Sequence, residues 1–191
     1  MKRLILLFFT LAMPVCRIMA GGGTTDGTYR WMLSTNICDW ALLGTINAQM
    51  QVGLSEHVSM LAGARYNPFI YFYGQDNQTC LKQAVPYVGC RYWFRETYSG
   101  WYCEGKSLAG IYNIADPIHT KYYEGDLLAA GAALGHSGQI YRRCNMTLAA
   151  GLIVAAHRTT LYAAPRCGRI IDRKKGFILL PDITLSIDLL M

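Results

Sequence analysis

Charge is scarce in this chain. Asp, Glu, Lys and Arg make up 16% of its 191 residues, against roughly 25% in an ordinary soluble domain, so a charged shell is not what keeps it dispersed. It also lacks any C-x-x-C pair and any His/Cys grouping at zinc spacing, which removes the metal readings; no cofactor is expected. No helical period persists along the chain. Its longest apolar run, Leu4 to Val15, is shorter than the about 20 residues a spanning helix needs.

That run belongs to the start of the chain. Lys2 and Arg3, the apolar stretch, then "RIMA" ahead of "GGG" follow the order of a secretory signal peptide, residues 1–20, with Ala20 last before cleavage. Residues 21–28 read as a flexible lead-in and 29–191 as one domain. Cys16 offers a lipoprotein alternative, although Pro14 and Val15 make a poor lipobox. Losing Lys2, Arg3 and Arg17 takes the 18 basic residues to 15 against 12 acidic ones, net +3, a balance that names no nucleic acid as partner. Cys38, Cys80, Cys90, Cys103, Cys144 and Cys167 remain. An even number in an exported chain permits disulfides and identifies no pairs; free, mostly buried thiols are the simpler expectation.

What the sequence has in abundance is alternation. Eight segments show a period of two: 29–41, 47–55, 58–70, 84–95, 101–113, 124–136, 145–159 and 178–190. Such a period places successive side chains on opposite faces of a strand. The Ala-rich stretches "LLAAGAALG" and "MTLAAGLIVAA" are near the 9–11 residues of a tilted membrane strand. Short turns are expected at 55–57, 96–100 and 137–143, longer loops at 71–83, 114–123 and 160–177. Outer-membrane barrels show this alternation, with tight periplasmic turns and longer external loops.

One parity carries Trp31, Leu33, Ile37, Met50, Val52, Leu54, Met60, Tyr66, Val88, Cys90, Tyr92, Trp101, Cys103 and Ile111. It continues through Leu127, Ala129, Ala133, Met146, Leu148, Leu152, Val154 and the terminal Ile183, Leu185, Ile187 and Leu189. The other parity holds Arg65, Arg91, Arg95, Glu104, Lys106, Asp126, Asp182 and Asp188, with Gly53, Gly63, Gly89 and Gly151 beside them. A soluble barrel would bury the first set and show water the second, a poor surface. Inverting it puts the apolar set against lipid, where an Arg or Lys costs roughly 2–4 kcal/mol at the midplane. Eight strands leave an interior that side chains just fill, so these eight charges are expected to form a salt-bridge network that plugs the lumen. Tyr29, Trp31, Trp40, Tyr66, Phe69, Tyr71, Phe72, Tyr73, Trp93, Trp101, Tyr102, Tyr122, Tyr123 and Tyr162 fall near strand ends, as aromatic girdles do.

"STNICDWAL", "GARYNPF", "RYWF", "AGIYN", "YEGDLLAAGAALGH" and "PDITLSIDLL" together give the chain the look of a known group. It resembles a family of small bacterial outer-membrane barrels, OmpA-like in shape and catalogued only as a domain of unknown function. The resemblance implies an eight-stranded antiparallel up-and-down transmembrane β-barrel and brings no catalytic residues. Relatives often have two cysteines in the last external loop, where this chain has only Cys167, and usually end in an aromatic residue where it has Met191.

The function expected is therefore non-enzymatic: an outer-membrane barrel of a two-membrane bacterium, a monomer, with a structural or surface-contact role. Its partners would be outer-membrane lipid, lipopolysaccharide and the barrel-insertion machinery. Arg166, Arg169, Arg173, Lys174 and Lys175, in the last external loop with Asp172, are candidates for contact with anionic phosphates or glycans, because guanidinium grips phosphate in a bidentate fork. Two other classes stand beside this one. An outer-membrane lipid-modifying enzyme would need a His/Ser pair, but His57, His119, His136 and His157 are scattered, and His136 and Ser137, as strand neighbours, point apart. A soluble lipocalin-like periplasmic binder of apolar ligands would need the opposite assignment of faces.

Overall fold

The computed structural model describes residues 29–42, 44–73, 77–116, 121–163 and 169–191. The expected signal peptide and lead-in, together with Cys16, His119, Arg166 and Cys167, lie outside these residues. The described chain is all-β apart from one short helix. Its strands are β1 (Trp31–Asn36), β2 (Ile46–Gly53), β3 (Val58–Asn67), β4 (Ile70–Tyr73), β5 (Asn77–Trp93), β6 (Gly100–Asp116), β7 (Lys121–Tyr141), β8 (Cys144–Ala163) and β9 (Ile170–Leu190), and the helix is α1 (Ile37–Ala41). Each of β1, β2, β3, β5, β6, β7, β8 and β9 pairs antiparallel with two others of this set. The first meets the last, Leu33 opposite Leu189, and β3 meets β5, so the eight close in a ring. β4 is a ninth strand that pairs only with β5.

Several boundaries differ from those read in the sequence. The segment 29–41 is a strand only to Asn36. There the Asn47 amide takes the place of a ladder partner, accepting from Asn36 N at 2.6 Å and donating to Asn36 O at 2.8 Å. The Asn36 side chain in turn accepts from Cys38 N, the bond of a helix N-cap, and α1 begins. The expected long loops are shorter because the flanking strands run on. In particular, Arg173, Lys174 and Lys175 sit in β9, opposite Thr160, Thr159 and Arg158 of β8, and not in a loop.

The short connections are on one rim, at 54–57, 94–99 and 142–143. In the second of these Tyr98 adopts a positive φ of 72°, which is uncommon for a residue with a Cβ. Its ring is buried against Trp93 and its hydroxyl donates to Arg30 O at 2.9 Å. Burial pushes that hydroxyl up to about 12.

Which parity faces in follows the sequence pattern in every ring strand but one. In β7 the expected outward set, Leu127, Ala129 and Ala133, turns inward, and Asp126 is exposed on the outer face with Leu128 and Leu134. Gly, Ala and Leu occupy both parities of this strand, so its own pattern gives little direction. Pairing with β6 decides the matter: Glu104 faces Ala133 and Lys106 faces Gly131, and the long charged chains need small neighbours on their face. Trp93 and Tyr102, expected in a rim girdle, are fully buried inside, whereas Trp31, Trp40, Tyr66 and Trp101 are exposed.

Glycine makes the interior passable at one crowded point. A Cβ on Gly151 would lie 2.6 Å from the Ala133 Cα, while one on Gly105, facing out, would meet nothing within 4 Å. Gly151→Val should therefore cost about 1–3 kcal/mol through overpacking, and Gly105→Val almost nothing. Urea unfolding of the two variants checks the difference.

Candidate functional site

The interior of the ring is layered. Next to the short-turn rim lies an apolar plug of Met32, Trp93, Tyr98, Tyr102, Ala149 and Leu190. Hydrogen bonds stitch it to the polar layer beside it: Trp93 Nε1 donates to Ser59 Oγ at 2.8 Å, and Gln51 Nε2 to the same oxygen at 2.5 Å. Further along, Val85, Leu108, Ala129, Ile153 and Ala155 form a second apolar cluster.

Ions occupy the space between. Arg91 Nε donates to Glu104 Oε2 at 2.6 Å and Arg91 Nη1 to Gln51 Oε1 at 2.9 Å, with the guanidinium 4.5 Å from the Tyr102 ring centroid. Lys106 Nζ joins two acids, Glu104 at 3.3 Å and Asp182 at 2.5 Å. Because β6 and β9 are separated by β7 and β8 in the ring, that contact crosses the interior. Arg65 closes the chain, 3.7 Å from Asp182 and 2.9 Å from Asp39. Arg91, Glu104, Lys106 and Asp182 are all buried, and charges withdrawn from water are tolerable only when paired and hydrogen-bonded in this way. The space left among them is about 10 Å³, hardly one water.

Five of the eight charges read from the sequence meet here: Arg65, Arg91, Glu104, Lys106 and Asp182. Three do not. Arg95 is exposed in the turn 94–99, one step beyond the ring. Asp126 is on the outer face with β7's even residues. Asp188 is fully buried but is held by hydroxyls, accepting from Thr147 Oγ1 and, at 2.8 Å, from Ser186 Oγ. The sequence reading missed Asp39. Alternation over 29–41 places it in a strand, yet α1 folds it over Arg65; the Asn36-x-x-Asp39 spacing, an N-cap residue followed by an acid in the first turn, is the available signal.

Beyond the second apolar cluster the ring opens into a cup of about 780 Å³, lined by Asn67, Gln83, Tyr112, Thr159 and Lys174 among others. Tyr112 Oη and Thr159 Oγ1 are 2.5 Å apart, and His157 Nδ1 meets the same Thr159 oxygen at 2.8 Å. The other described histidines are elsewhere: His57 Nδ1 lies 3.1 Å from Trp93 O, and His136 packs on Trp101. Of the five basic residues expected together, Lys174 pairs with Asp172 at 3.6 Å. Arg173 and Lys175 alternate with it onto the outer face, and Arg169 is exposed ahead of β9. Arg158 of β8, unnoticed in the sequence, stands opposite Lys175. Among the described residues Cys38, Cys80, Cys90, Cys103 and Cys144 are free thiols, no cluster of His, Cys, Asp and Glu could hold a metal, and no helix is long and apolar enough to cross a membrane.

The molecule is thus an all-β protein whose antiparallel ring encloses paired charges between two apolar clusters and exposes many large apolar side chains on its outer face. The chain belongs to the family described as "Protein of unknown function (DUF3575)", whose model matches residues 7–190. No curated protein and no solved structure matches it.

Removing one partner from the ion chain should be severe, since it strands a buried charge. Asp182→Asn is expected to cost about 3–5 kcal/mol in denaturant unfolding, and Asp126→Asn, on the outer face, under about 0.5 kcal/mol.

Proposed function

We propose that this chain is a non-enzymatic outer-membrane β-barrel, OmpA-like in shape, whose sealed interior gives it a structural and surface-contact role and no pore. The carrying observation is the inversion of polarity. Buried positions hold Arg91, Glu104, Lys106, Asp182 and Asp188, while exposed ones hold Leu33, Met50, Met60, Val88, Leu128, Leu134, Leu152, Val154, Ile183, Ile187 and Leu189. An apolar surface of this extent demands a cover.

Lipid is the cover the dimensions favour. On the outer face of β8, Met146, Leu148, Ala150, Leu152, Val154 and Ala156 are uncharged, and Arg158 is the next residue on that face. At about 3.4 Å per residue and a tilt near 40°, that run rises about 25 Å, the height of the apolar band of an outer-membrane barrel. Arg158 and Lys175 then face one another immediately above the band, with Arg173 beyond. Like charges directly opposite on paired strands repel, and the row holds one acid, Asp126 of β7 opposite Arg158, against these two cations. A phosphate at headgroup level would relieve them both.

Expressed in a two-membrane bacterium, the mature chain should float with outer-membrane vesicles in a density gradient and shift on gels when heated. Recovery as a monodisperse species in plain buffer without amphiphile would defeat the reading. The double variant Arg158→Gln/Lys175→Gln should still float but carry several-fold less co-purified lipopolysaccharide; unchanged lipid content would remove the phosphate contact alone.

A further inference from the structure

The ring wall is uneven. β1 covers β9 only from Ser186 to Leu190, its last pair being Asn36 with Ser186. At Leu185 the backbone N–H already donates to the Asn36 side chain at 3.1 Å, and α1 follows. Above that level, among the described residues, β9 pairs with β8 alone. Among the described residues no strand covers its second edge.

Burial registers the opening. On the inner face of β8, Ile153 and Ala155 are 5% and 1% exposed, but Leu180 and Ile178, their partners on β9, are 38% and 45% exposed. One strand spacing, about 4.8 Å, separates a sealed apolar core from an accessible one. The gap faces the flank of the ring, at the level of the apolar outer residues Leu179 and Phe177, the latter 81% exposed.

A bare edge invites another strand, yet this one is built against pairing. Peptide groups alternate in direction along a strand, and those of Met191 and Leu185 point to the β1 side. By that alternation Pro181 turns its nitrogen, which has no hydrogen, to the bare edge. Proline at such a position blunts an edge. The opening is therefore better suited to a guest that needs no backbone ladder.

Polarity along β9 describes that guest. Arg173, Lys174 and Lys175 come first, then Gly176, then Phe177, Ile178, Leu179 and Leu180. Cations stand at the mouth of the cup, where Lys174 lines its wall, and apolar side chains line the gap beneath.

We propose that the gap between β9 and α1 admits the acyl chain of a single-chain anionic phospholipid, seated on Ile178 and Leu180 with its phosphate at Lys174 in the cup, where it replaces the exposed contact of that cation with Asp172. This site rests on the bilayer reading above, since the guest enters from the surrounding leaflet. The cup of about 780 Å³, lined by Lys174 but not by Ile178 or Leu180, would take the headgroup alone, and its size is within the usual range for small-ligand sites.

The test uses the full chain in maltoside micelles, titrated calorimetrically with lysophosphatidylglycerol and, separately, with glycerol phosphate. One lysophospholipid should bind per chain, with the headgroup alone at least tenfold weaker. Ile178→Ala/Leu180→Ala should weaken the lysophospholipid about tenfold or more, since each lost methylene contact contributes. Leu179→Ala/Ile183→Ala, on the outer face of the same strand, should leave it unchanged. Heat-shifted gel migration establishes that both pairs fold, and Leu180→Phe, which fills the gap while keeping it apolar, should also weaken binding. No saturable binding, equal affinity for glycerol phosphate, or equal loss in the inner and outer pairs would overturn the proposal. A chain that floats with membranes and yet binds neither probe defeats this site and leaves the bilayer reading standing.

Discussion

Everything in this molecule is arranged around the pairing of charge in a closed space. Lys106 reaches across the ring to Asp182 while also touching Glu104, and Glu104 holds Arg91. Those contacts need β6 and β9 at a fixed separation, small residues at Gly131, Ala133 and Gly151 to leave room, and a ring that shuts so that water cannot compete. The same closure consumes the polar residues. What is left for the outer band is uncharged, mainly Leu, Ile, Val, Ala, Met and aromatic residues.

The apolar layers on either side of the ions have a distinct task. The cluster around Trp93 and Tyr102 seals the short-turn end, and the cluster around Leu108 and Ile153 separates the ions from the cup. Low-dielectric walls strengthen each ion pair, and they make any unpaired charge costly in the same measure. α1 completes the enclosure where β1 stops short, bringing Asp39 to Arg65. A strand in its place would have turned that carboxylate outward, on the parity of Trp31 and Leu33, and would have closed the flank. The bare edge of β9 is thus a consequence of the way the ion chain is finished.

The ring presents several surfaces to its surroundings. Those surfaces differ sharply in kind: an outer band without charge, a basic pair directly above it, and a polar cup with an apolar opening on one side. On the bilayer reading these are the contacts a lipid would meet in order, from chain to headgroup.

How much of this the residues announced depended on local contrast. In β3, β5, β6 and β9, polar and apolar side chains alternate strongly, so Arg65, Arg91, Glu104 and Asp182 could be placed on one face from spacing alone, because the period of a strand is independent of what it pairs with. In β7 the contrast vanishes, both parities being small or aliphatic, and only register against Glu104 and Lys106 chose the inner one. Asp188 and Asp39 show the same division. Sequence parity put Asp188 inside, but only the packed neighbours Thr147 and Ser186 gave it hydroxyl partners, and Asp39 joined the ions through a helix that interrupts the pattern. Alternation is a property of one strand and survives in the linear chain. Partners, gaps and uncovered edges belong to pairs of strands far apart in sequence, and those exist only once the ring has closed.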